Sequence, residues 1–171
     1  MKSSESGREG SPSEGMATWD DGESRVILFS LAGSTYGLPL GEVREVSEFA
    51  QPKAIPGAPE ACLGILNVRG DIVTVVELRS LWGLVPRKAD APSPVLLLVD
   101  IDGWLMACVA DAIEGVCRVS ESAVEPLPHV PTVIPGGTFR GLFHSHGKAV
   151  VLLDLAATIR ASGLCTLGKA S

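Results

Sequence analysis

Long apolar runs are missing from this chain. Stretches such as Val95–Val99 stop far short of a bilayer span, which takes roughly 20 residues, so nothing reads as a transmembrane helix. No basic segment leads into an apolar core near the start, so no secretory signal is expected and the cytosol is the expected compartment. Positive charge is scarce and nowhere gathered into a stripe. With 14 Lys and Arg against 20 Asp and Glu, the net charge is -6, and a phosphate backbone requires a basic face. A nucleic-acid partner is therefore excluded. Cysteine is sparse as well. Cys62, Cys108, Cys117 and Cys165 fall in no metal or redox spacing. Three of them sit in apolar, strand-like runs, where a thiol behaves as a small hydrophobe. Cys165 reads as an incidental thiol in a polar tail. Also absent are a Gly-rich phosphate loop, a nucleophile elbow and any Ser/His/Asp or Cys/His set at a recognised spacing. The run Asp100-Ile101-Asp102-Gly103 is hairpin chemistry rather than a carboxylate pair. Neither an enzyme nor a cofactor is expected.

What the chain does contain is one piece of architecture written twice. Gly64–Leu78 aligns without a gap on Gly141–Leu155, an offset of 77, with Gly64 on Gly141, Gly70 on Gly147 and Glu77 on Asp154. Upstream, Val26–Val46 aligns on Leu96–Val116 with an offset of 70, placing Phe29 on Val99, Gly33 on Gly103 and Val46 on Val116. Tandem similarity of this kind is an architecture in itself.

Residues 1–24 are rich in Ser, Glu and Gly and nearly free of aliphatics, so they are expected to be a disordered extension. Met16 lies within them, a second place where translation can start. Residues 162–171 read as a flexible tail. Between them, short strands recur with turn signals at close spacing. They are expected at Val26–Leu31, Thr35–Leu40, Val43–Val46, Cys62–Val68 and Ile72–Val76, and again at Val95–Val99, Trp104–Val109, Ile113–Val119, Phe139–His144 and Val150–Leu153. Pro39 within its strand suggests an edge or a bulge. Short helices are expected at Glu77–Leu81, closed by Gly83, and at Asp154–Ala161. This pattern predicts a mainly β fold of two five-stranded barrels packed together. Closing each set of strands hides its edges. The first barrel is expected at about 31–88 and the second at about 93–161 plus the first strand, within a domain spanning 25–161.

The ordered motif series resembles the chemotaxis coupling protein family, the CheW-like domain. It runs Tyr36-Gly37-Leu38-Pro39-Leu40, then Val43-Arg44-Glu45-Val46, Ile55-Pro56-Gly57-Ala58-Pro59 and Gly64-Ile65-Leu66-Asn67-Val68-Arg69-Gly70. Val73–Arg79, Ala110-Asp111 leading to Gly115-Val116, and Val151–Leu155 complete it. Thr74 stands where the family usually has proline and Glu77 where it usually has aspartate. The resemblance implies a non-catalytic adaptor of two SH3-like barrels. Such a protein bridges the cytoplasmic tips of methyl-accepting chemoreceptors to the regulatory domain of a CheA-type histidine kinase. The resemblance also admits other CheW-like domains as partners, and recruitment to receptor arrays without membrane insertion. An adaptor of a motility or developmental pathway that binds one partner, or competes with another coupling protein, fits the same residues. A ligand-binding β-barrel is the alternative of a different class.

By family position, Asn67 and Arg69 are implied to face the receptor, and Val43 and Glu45 the kinase. The Arg69 guanidinium suits such a role because its planar fork binds a carboxylate or helix-end carbonyls in bidentate fashion. The alternative is an arginine that satisfies loop carbonyls of its own protein. For Val43 the alternative is a core-facing side chain. His144 and His146 share one strand face as an i, i+2 pair. A metal site requires further ligands, and His129 lies in a remote Pro-rich loop. Their match to the Asn67–Arg69 turn favours a solvated hairpin tip.

Overall fold

A computed structural model describes residues 22–128 and 139–164, and over them the doubled sequence becomes ten strands and two short α-helices. The first copy supplies β1 (Glu23–Leu31), β2 (Ser34–Pro39), β3 (Val43–Glu48), β4 (Cys62–Val68), β5 (Asp71–Val76) and α1 (Leu78–Leu81). The second supplies β6 (Val95–Ile101), β7 (Trp104–Ala110), β8 (Ala112–Ser120), β9 (Phe139–Ser145), β10 (Lys148–Leu153) and α2 (Leu155–Ser162). The expectations for residues 1–21, His129 and Cys165 lie outside the described residues.

Two five-stranded sheets result, ordered β3-β6-β7-β5-β4 and β8-β1-β2-β10-β9. Exchanging every strand for its repeat partner converts one order into the other. The first sheet is continuous in sequence, whereas the second takes β1–β2 from one end of the domain and β8–β10 from the other. Each copy therefore lends its leading hairpin to the other copy's sheet. This corrects the expected barrel limits: β2 joins the second set together with β1, and β6–β7 join the first. The reason is parallel pairing of β10 with β2 (Val151 opposite Tyr36) and of β5 with β7 (Val75 opposite Ala107). Local turn signals announce antiparallel hairpins and are silent about parallel neighbours.

Each sheet is drawn toward closure by one bridge rather than a full ladder. Lys53, downstream of β3, exchanges hydrogen bonds of 2.9 and 3.0 Å with Ile65 of β4. Glu125, downstream of β8, does the same with Leu142 of β9 at 2.7 and 2.8 Å. Ile65 and Leu142 are repeat partners, and so are the glycines just before them. A Cβ on Gly64 would sit 2.0 Å from the Lys53 carbonyl oxygen, and one on Gly141 would sit 2.6 Å from that of Glu125. The shared glycines leave room for the closing backbone.

Side-chain alternation along β1 and β6 explains why both read as unbroken apolar runs. Val26 and Leu28 enter the interior of their own sheet with Val119, Phe143, Val150 and Leu152. Ile27, Phe29 and Leu31 point the other way, into a central core shared by both sheets. Leu96 and Leu98 likewise enter the continuous sheet with Val73, Val75, Ala107 and Val109, while Leu97, Val99 and Ile101 face the centre. Both helices cap that centre through Leu78, Leu155 and Ile159. Each fully buried aliphatic side chain contributes about 2 kcal/mol.

Several local expectations change. Pro39 is not on an edge strand, since β2 lies between β1 and β10. It ends the strand beyond the last pairing with β10, at Gly37, so its missing N–H removes no ladder bond. The tail begins later than expected: Ser162 ends α2, Gly163 caps it in the left-handed region, and Leu164 is buried in the central core. Glu23 and Ser24 belong to β1, paired with Ser120 and Val119. Glu77 caps α1 through its side chain, accepting from the Arg79 amide at 3.2 Å. Asp154 caps α2 from the Ala157 amide at 3.0 Å. The shorter side chain reaches one residue further into its helix.

Candidate interaction surface

Four hairpins end in the same two-residue turn: Ala32-Gly33, Arg69-Gly70, Asp102-Gly103 and His146-Gly147 have positive φ at both positions. Such turns match the twist of the flanking strands. Asn67 reinforces its own turn, its Oδ1 accepting from the Gly70 amide at 2.9 Å, and Asp100 does the same for Gly103 at 3.0 Å. A left-handed residue other than glycine or asparagine costs about 1 kcal/mol. Arg69, at φ 53°, is thus held in a backbone position that favours a different residue.

The Arg69 side chain is 79% exposed and reaches across to Glu45, with Nη2 2.8 Å from Oε1. The structure therefore joins two residues that family position assigns to different faces. Among the described residues, the Arg69 guanidinium is paired with this Glu45 carboxylate of its own chain. Asn67 lies exposed on the same hairpin. Val43 stands apart from these three: it is half-buried against the central core, opposite Val99. The core-facing alternative describes it better.

Beside Asn67 lies an apolar surface that the sequence reading missed. Asn67 pairs with Ile72 across β4–β5, and Thr74 pairs with Met106 across β5–β7. Two residues back along both parallel strands brings Ile72 alongside Trp104. Ile72 is 60% exposed and Trp104 38% exposed. This row continues the sheet face that deeper down forms the central core, through Met106 and then Val76 and Cys108. At the repeat-equivalent places the other sheet has His144, Ala149 and Ser34, all exposed. One sheet thus ends in an apolar platform and the other in small or polar groups. Alternation places Ile72 on the Val76 face of β5, but only the β5–β7 pairing brings Trp104 to it.

The frame behind this surface is tied by Asp111. Its Oδ2 accepts from Arg79 at 2.7 Å and from the Ala32 amide at 2.9 Å, and its Oδ1 from Arg87 at 2.6 Å. Arg79 also donates to the Val85 carbonyl. One carboxylate thus fastens α1, the linker after it and the β1–β2 turn. A second tie runs from Arg140 to Glu42 at 2.8 Å. Burial raises the carboxyl pKa of both Glu42 and Glu77 above the ordinary value.

Burial pushes the Cys108 thiol up to about 12, so it stays protonated at neutral pH. The Cys117 thiol is raised as well, mainly by burial. Among the described residues no three His, Cys, Asp or Glu side chains gather to hold a metal. His144 and His146 occupy the exposed end of β9 and its turn.

Known proteins resemble this chain over most of its length. The model of the CheW-like domain matches residues 25–163. A probable chemotaxis protein CheW of Rhizobium etli is 21% identical over 138 residues, covering 81% of this chain and 88% of that protein. Chemotaxis protein CheW of Treponema pallidum is 23% identical over 139 residues, covering 80% and 82%. Among solved structures, the scaffolding protein TtCheW from Thermoanaerobacter tengcongensis superposes with a TM-score of 0.71 at 29% identity, covering 80% of this chain and 87% of that one.

Proposed function

This chain belongs to the CheW-like domain family, and from that membership we propose that it is a non-catalytic adaptor coupling chemoreceptors to a CheA-type histidine kinase. The observation that carries the reading is the inequality of the two sheet ends. A partner segment docks by laying its apolar side chains against an apolar platform, as an amphipathic helix does in a groove. The row Trp104, Ile72 and Asn67, with Arg69 at its rim, offers such a platform. The equivalent row on the other sheet, Ser34, Ala149 and His144, does not. The kinase regulatory domain meets β3, an outer strand whose Val46 is 41% exposed.

The ion pair between Arg69 and Glu45 gives the two faces a common element. A receptor carboxylate that engages Arg69 competes with Glu45, and release of Glu45 alters the strand the kinase contacts. That exchange is a coupling free energy between two sites, not a chemical step. The protein works at the membrane by recruitment to receptors, and no helix among the described residues is long and apolar enough to cross it.

Ile72→Asp and Ala149→Asp test the reading as a pair. Calorimetry with a receptor-tip fragment should show at least about a tenfold loss of affinity for the first, since a charge is placed in an apolar contact, and no change for the second. Equal behaviour of the two variants sinks the proposal, as does failure of the wild-type chain to bind any cognate receptor tip.

A further inference from the structure

The interior of the continuous sheet is apolar right up to its hairpin end. Leu98, Leu105, Val68 and Val73 all belong to its apolar cluster. The repeat-equivalent residues of the discontinuous sheet are Leu28, Thr35, Ser145 and Val150. Two hydroxyl residues thus stand where the sister sheet has a leucine and a valine. The result is a cavity of about 350 Å3, lined by these four residues with Glu114, His146 and Lys148.

Its polar groups are arranged around an apolar floor. Leu28 and Val150 are buried beneath it. The Thr35 hydroxyl donates to Oε2 of Glu114 at 3.1 Å and holds that carboxylate at the mouth. Lys148 lies on the same rim, yet neither it nor Glu114 forms an ion pair among the described residues. Opposite charges that face one cavity without meeting each other leave room for a ligand that meets both. A concave, largely preformed site with an apolar floor and a few convergent polar groups is how small molecules are bound.

We propose that this cavity binds a small zwitterion of amino-acid size. Its ammonium group lies against Glu114, its carboxylate against Lys148 and the His146 ring, and its aliphatic part over Leu28 and Val150. The cavity is separate from the Trp104–Ile72 platform, so this binding is additional to the adaptor role and does not depend on it.

The test is an amide-NMR titration of the full chain with L-alanine, with propionate and ethylamine as probes that each retain one of its two charges. L-alanine should give saturable shifts at Thr35, Glu114, Ser145 and Lys148, and each single-charge probe should bind about tenfold more weakly or worse. Glu114→Gln and Lys148→Met should each weaken L-alanine by a similar factor. Thr35→Leu with Ser145→Val copies the apolar sister sheet and should abolish the shifts while leaving the fold intact. If that double variant fails to fold, the two single charge variants decide. Absence of saturable shifts with L-alanine, equal binding of the single-charge probes, or undiminished binding in the variants overturns the proposal.

Discussion

The continuous and discontinuous sheets share strand order, closing bridge, shared glycine and interior alternation, yet differ at their hairpin ends. The central core shows the same divergence between repeat-equivalent positions. On one side Phe29, Tyr36, Trp82 and Phe139 form a chain of rings with centroids 5.9, 5.3 and 5.7 Å apart. Their repeat partners are Val99, Met106, Ile159 and Cys62, all part of or packed against the same core. Aromatic pairs at such separations add about 1 kcal/mol beyond the area they bury. What duplication preserves is the geometry that backbone passage and strand pairing demand. Volume in the core can be redistributed, and surface chemistry is free to diverge. The proposed adaptor role, with two different partners, would use that freedom.

The comparison can be broken most severely at the shared glycine. Gly64→Ala places a Cβ against the Lys53 carbonyl at a residue with φ of 136°, and should cost about 3 kcal/mol in chemical denaturation. Gly115→Ala has a similar φ of 143° but open space around it, and should cost only about 1 kcal/mol. Equal costs would mean that backbone strain, not the closing bridge, fixes the glycine.

A smaller effect separates stability from function at the hairpin tip. Arg69→Asn should stabilise the fold by about 0.5 kcal/mol, because asparagine tolerates the left-handed position better and a surface ion pair contributes little. The same variant should weaken receptor coupling. His146→Asn, its counterpart on the other sheet, should give the stability gain without that loss. Thermal melts alongside a kinase-activation assay check both, and a destabilised Arg69→Asn would make Arg69 structural.

The smallest effect is a pH slope. Burial raises the Glu77 and Glu42 carboxyl pKa values above their ordinary value of 4.5. Between that value and the raised one the folded state holds more protons than the unfolded state. These two groups therefore stabilise the protein at the acid end of that window, and the benefit is lost as pH rises through it. Glu77→Gln should flatten the slope in denaturation midpoints measured across the window. A slope unchanged in this variant would show that Glu77 titrates as an ordinary carboxylate.

Much of this was legible in the sequence. The offsets of 77 and 70 paired residues that do the same work, such as Gly64 with Gly141 and Val26 with Leu96. The β4 and β6–β10 segments lie close to the stretches expected for them. The candidate surface was legible only in part. Asn67 and Arg69 stand out at a hairpin tip, but Ile72 and Trp104 belong to different copies and meet through a parallel pairing. Val43 sits on an alternating strand, and alternation alone does not say which face is buried.

The sequence by itself determined the local register: which residues form strands, where each chain reversal falls, and which side chains share a face. These follow from turn chemistry and a two-residue period acting over a few positions. Only the tertiary structure decided that the two copies exchange their leading hairpins, that Arg69 finds Glu45, and that Trp104 stands beside Ile72. Those outcomes rest on pairing between strands distant in the chain, chosen by the burial of one central core that neither copy completes alone.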